Sequence, residues 1–135
     1  MYVVRVKPGV RFDRLAPAGV HILSALDLAV GVVGCDLEIS CGTEGHPPDD
    51  PHTLGEAFDV SVEHLEPPTI LRAMGWLRAR LGEAFYLQYE TPHPVTEGPL
   101  AAIAVVNPNA TAPHLHVQRR RGTVWPAPPA APLRA

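Results

Sequence analysis

The stretch PAGVHILSALDLAVGVVGCDLEIS, residues 17–40, changes its hydrophobic period partway along, and that change decides the fold class. Val20, Ile22, Leu23, Leu26, Ala29, Val30 and Val33 recur three and four residues apart, which gathers them on one side of a helix. Pro17 suits the first helical turn, where its missing N–H costs nothing, and Gly34 is placed to end the helix. From Asp36 to Ser40 polar and apolar residues alternate instead, the pattern of a half-buried strand. A helix feeding directly into such a strand points to a mixed domain.

Working outward, VVRV near the N-terminus reads as a short strand. CGTEGHPPDDPHTLG, residues 41–55, is too rich in Gly, Pro and Asp for anything but loop. EAFDVSV, residues 56–62, reads as a strand. Pro67 and Pro68 open a second helix with Ile70, Met74, Leu77 and Leu81 as its apolar stripe and Gly82 at its end. EAFYLQYE (83–90), LAAIAVV (100–106) and HLHVQ (114–118) are three further strands, separated by a Pro-rich connection at 91–99 and the turn NPNATAP. The order predicts a small single α+β domain over residues 1–122, with a mostly antiparallel sheet and two main helices. Residues 123–135, ending WPAPPAAPLRA, are expected to form an extended or loosely docked tail.

Length and composition narrow the function classes. The chain has 135 residues, 46% of them hydrophobic, enough for one core that buries roughly two-thirds of the unfolded surface. Its net charge of −3 argues against a nucleic-acid partner, which usually needs a basic stripe. No apolar run approaches the roughly 20 residues of a membrane span, and the N-terminus lacks a secretory pattern. A cytoplasmic species is therefore expected as synthesised. Cys35 and Cys41 flank a strand and would stand about 20 Å apart at about 3.3 Å per residue, so both are read as reduced thiols.

Chemistry concentrates in His52, Asp59, His114 and His116. His52 stands in the loop before a strand, and Asp59 lies seven residues later within that strand. His114 and His116, two apart on another strand, project from the same sheet face. Two His and one carboxylate are the ligand set of many catalytic zinc sites, whose open position serves hydrolysis. The remaining histidine is then a candidate proton shuttle or stabiliser of carbonyl-oxygen charge. The same His-x-His spacing also occurs as surface polar residues beside an apolar one.

PHTLGEAFDV, residues 51–60, resembles the S-x-H-x-x-G-x-A-x-D segment of the zinc D-alanyl-D-alanine carboxypeptidases and related phage endolysins. HLHV, residues 114–117, is similar to the later His motif of that superfamily, which also includes lysostaphin-type and hedgehog-type domains. The resemblance runs from about Val10 to Gln118. It implies a small α+β fold with the metal site on a central antiparallel sheet flanked by helices, with His52, Asp59 and His116 as ligands of a Zn²⁺ ion and a peptidoglycan stem peptide as substrate. A peptidase of the wall without a signal peptide would reach its substrate by lysis or in a virion.

The sequence departs from that pattern in three places. Pro113 stands where carboxypeptidase-type members have a general-base Glu, leaving His114 or Glu90 as replacements. Asp50 stands where the family has Ser. SCGTEGH, residues 40–46, has no Arg to hold a substrate carboxylate, so an endopeptidase fits better than a carboxypeptidase. A domain of the same fold that keeps the metal without catalysis, in a binding or virion-structural role, is the alternative. His46 is a candidate substrate-groove residue. His21 and His64 are expected at the surface, His93 in a loop near the site mouth, Asp49 and Asp50 as a solvated turn pair, and Arg119–Arg121 as a charged strand edge.

Overall fold

The computed structural model describes residues 1–126. Its elements are β1 (Val4–Val6), α1 (Pro17–Val33), β2 (Leu37–Cys41), β3 (Ala57–Ser61), α2 (Pro67–Leu81), β4 (Phe85–Thr91), β5 (Ala104–Val106) and β6 (His114–Arg119). Both helices begin at the prolines and end before the glycines that the sequence marks. Gly34 adopts a left-handed conformation (φ 71°) and donates its N–H to the Val30 carbonyl, which closes α1.

Six strands form one mixed sheet in the order β1-β2-β3-β6-β4-β5. The three central pairings are antiparallel, and the two outer ones, β1 with β2 and β4 with β5, are parallel. The expected small α+β domain with a mostly antiparallel sheet and two helices is what the chain forms.

Alternation along the strands sends Phe58, Val60, Leu115, Val117, Leu87 and Tyr89 to one face. There they join Ile22 and Leu26 of α1 and Met74 and Leu77 of α2 in a single core. Phe58, Val60, Val117, Ile22, Leu26 and Leu77 are fully buried, so the helices cover that face of the sheet. The opposite face is free to carry polar side chains.

Two expectations change. The run at 100–106 is a strand only from Ala104. Leu100 sits in the core at 6% exposure, and the N–H groups of Ile103 and Ala104 both bond back to its carbonyl, so the first four residues turn instead of extending. Arg119 ends a central strand, not an edge, and pairs with Glu56 at 2.7 Å. Trp125, in the segment read as an extended or loosely docked tail, packs edge-on against Phe85 with ring centroids 5.5 Å apart. The rest of the Pro-rich tail from residue 127 lies outside the described residues.

Candidate metal centre

The polar face of the sheet brings three strands' functional groups into register. Asp59 on β3 is paired with His116 on β6, which is paired with Gln88 on β4. One step along, Ser61 pairs with His114 and His114 with Glu90; one step the other way, Ala57 pairs with Gln118 and Gln118 with Tyr86. His52 reaches this face from the loop before β3 and is 4% exposed.

His52, Asp59 and His116 converge. His52 Nε2 lies 3.3 Å from His116 Nδ1 and 3.4 Å from Asp59 Oδ1, and His116 Nδ1 lies 2.9 Å from the same oxygen. The far side of each ring is already engaged. His52 Nδ1–H donates to the Gly42 carbonyl at 3.1 Å, and His116 Nε2–H donates to Gln118 Oε1 at 2.9 Å. Gln118 Oε1 also accepts from the Tyr86 hydroxyl at 2.7 Å. These partners fix the tautomers, so two imidazole lone pairs and one carboxylate lone pair face a common point.

Three acceptors cannot satisfy one another. Either a proton or a cation must stand between them. Ligand bonds of about 2.0–2.1 Å at tetrahedral angles would separate the donor atoms by about 3.3 Å. The observed edges of 2.9, 3.3 and 3.4 Å match that separation, and these three residues can hold a metal ion.

The electrostatics agree. Burial works against the charge on Asp59, but hydrogen bonds to His116 and His52 outweigh it and hold the carboxyl far below the usual carboxylate range. Burial likewise disfavours a charged His116 ring, yet its bonds to Asp59 and Gln118 raise its pKa overall.

His114 and Glu90 form a second unit beside the triangle. His114 Nδ1–H donates to the Ala112 carbonyl at 3.1 Å, which leaves Nε2 facing Glu90 Oε1 at 3.1 Å and Asp59 Oδ2 at 3.7 Å. A proton between Nε2 and Oε1 joins the pair. The bond to His114 lowers the Glu90 pKa against the effect of burial. Burial lowers that of His114, but the bond to Glu90 and the charge of Asp59 outweigh burial and raise it overall, so both shifts favour an imidazolium paired with a carboxylate. Asn107 Nδ2 also donates to Glu90 Oε1 at 3.1 Å. Oε2 of Glu90 therefore has no protein hydrogen-bond partner among the described residues. The two residues that the sequence leaves as alternatives stand in direct contact.

The loop that carries His52 is tied down. Thr43 N–H donates to the Arg11 carbonyl, Ala16 N–H to Gly55, and the Glu44 carboxylate accepts from Arg11 and Gly42. Gly55 takes φ 73°, and a Cβ there would collide with the Arg14 carbonyl, so the turn from ligand loop into β3 requires glycine. Asp50 is not a solvated turn residue: its Oδ1 accepts the His52 N–H at 2.8 Å. The carboxylate thus positions the backbone of His52.

His46 stands in the same loop, its ring stacked on His52 at 4.2 Å with 4° between planes. Cys41 reaches the polar face through a β-bulge between Ile39 and Cys41 that sets it opposite Asp59. A groove of about 440 Å³ passes over Cys41, His46, Asp59, Pro113 and His114. On the other side of the triangle, a depression of about 630 Å³ is lined by Asp50, Tyr86, Gln118 and Arg120.

Sequence reading misses Gln118, Tyr86, Asn107, Gly42 and Cys41 as members of the site. Gln118, two residues after His116, carried the one available signal. His64 is exposed, with Nε2–H donating to the Asp36 carbonyl, and His93 is exposed. His21 is half-buried instead of exposed, its ring 5.1 Å from Phe85 and 5.0 Å from Trp125. Both cysteines are free. Among the described residues no helix is long and apolar enough to cross a membrane. Comparisons with protein-family models, curated proteins and solved structures find no match to this chain.

Proposed function

We propose that this chain is a zinc-dependent peptidase that hydrolyses peptide bonds in peptidoglycan, as an endopeptidase and not a carboxypeptidase. The observation that carries the reading is the triangle of lone pairs from His52, Asp59 and His116, with edges of 2.9 to 3.4 Å. Neutral imidazoles and one carboxylate, each oriented by a second partner, suit Zn²⁺. When bound there, zinc supplies Lewis acidity toward a carbonyl oxygen and makes water acidic enough to ionise near neutral pH.

The protein's own groups complete the chemistry. Glu90, through Oε2, accepts a proton from the attacking water and returns it to the leaving amine. His114, held protonated by Glu90 and Asp59, donates to the scissile carbonyl oxygen as charge develops on it. Glu90 thereby takes the place of the general base that Pro113 displaces. Space on both sides of the triangle supports cleavage within a peptide, and Ser40–His46 offers no Arg to hold a terminal carboxylate.

Peptidoglycan fragments incubated with the zinc-loaded protein, with and without chelator, test the proposal by mass spectrometry. New fragments that vanish with chelator are expected, and their masses name the bond. Zinc-loaded protein that leaves every fragment intact would sink the peptidase reading in favour of a non-catalytic, metal-holding domain.

A further inference from the structure

We propose that Cys41 and His46, beside His52, form a second cation subsite of softer character that abuts the first. Cys41 Sγ lies 3.0 Å from His46 Nε2. His46 Nδ1 faces Asp50 Oδ1 at 3.8 Å, which turns its N–H toward the carboxylate and its Nε2 lone pair toward the sulfur. One ligand atom each from Cys41, His46 and His52 lies within 4.8 Å of the others.

The arrangement is built by the fold. Regular alternation would send Cys41 into the core beside Ile39, and the bulge in β2 turns it onto the site face instead. The loop stacks His46 flat on His52, which places both imidazoles near the sulfur. Both Cys41 and His46 border the open groove, where a cation from solvent can reach them.

The donor set differs in kind from the first. With the first site filled it offers a sulfur and the His46 imidazole with no carboxylate, a combination that selects thiophilic cations such as Zn²⁺, Cd²⁺ or Cu⁺. Cys41 releases its thiol proton to solvent on binding. His52 has one lone pair, which serves one ion at a time, so a second ion beside the first rests on Cys41 Sγ and His46 Nε2 with solvent, and the two subsites are coupled.

Cobalt titration of the full chain tests this. The wild type is expected to show visible d–d bands from the first ion and, with further cobalt, a near-ultraviolet thiolate-to-cobalt charge-transfer band. Cys41→Ser should lose that band, His46→Ala should lose most of it, and both should keep the d–d bands. Without any substitution, cobalt should slow alkylation of Cys41 ~10-fold or more while Cys35 alkylates at an unchanged rate. The subsite is disproved if cobalt-loaded wild type has d–d bands but no thiolate band, or if Cys41 alkylates equally fast with and without cobalt. Absence of all cobalt bands would overturn the first site, and with it the peptidase reading as well.

Discussion

His114 Nε2 and Glu90 Oε1 stand 3.1 Å apart on neighbouring strands, and with His114 Nδ1 committed to the Ala112 carbonyl the pair is joined by a proton. Neither residue touches the triangle's lone pairs, so the pair is separable from metal binding by mutation. Glu90→Gln should keep zinc and lose about 10²- to 10⁴-fold in turnover. His114→Ala should do the same through the lost donor. Metal content and steady-state hydrolysis, measured on the same preparations, check this; a Glu90→Gln protein of full activity would remove Glu90 from the mechanism.

The metal-free protein should be most stable in a mildly acidic window. His114 and His116 have raised pKa values, so their contribution is complete below the ordinary histidine value near about 6.5 and is lost as pH rises through the raised values. Asp59 and Glu90 have lowered values, so theirs is present above about 4 and is lost as pH falls through the lowered ones. Thermal melts of chelated protein should therefore peak between about pH 4 and about pH 6.5. The stabilisation from added zinc should grow with pH above that window, because binding displaces the proton that His116 shares with Asp59. A metal-free melting temperature that climbs from about pH 6.5 to about pH 8 would contradict this.

Gln118, 7% exposed, gives His116 its only Nε2 partner among the described residues. Gln118→Leu should weaken zinc binding about 10- to 100-fold, read by competition with a chromophoric chelator. Tyr86→Phe should cost less, because the His116–Gln118 bond survives it.

Asp50→Ala removes the acceptor of the His52 N–H and should destabilise the protein by about 1 kcal/mol in denaturant melts. Zinc affinity should fall with it, whereas Asp49→Ala should change neither measurement.

How much of this was legible depends on the kind of signal. Pro17, Gly34, Pro67 and Gly82 act through local backbone geometry, and both helices end where they indicate. The run at 100–106 misleads because an apolar stretch reports burial and not conformation: Leu100 is buried inside a turn. His52, Asp59 and His116 stood out by residue type and spacing. The partnership of His114 with Glu90 did not, since it depends on the β4–β6 register, which pairs residues 24 apart. Cys41 was hidden by a bulge that inverts the side its position would take in a regular strand.

Zinc retention after exhaustive dialysis tests the central claim most directly, because three converging lone pairs can hold a cation in place of the proton that His116 and Asp59 otherwise share. Wild type and Cys41→Ser should each keep one tightly held zinc per chain, and His52→Ala and Asp59→Ala should keep none while still folding by circular dichroism. Wild-type protein that dialyses free of zinc, or a folded Asp59→Ala protein that holds it as tightly, would contradict the account.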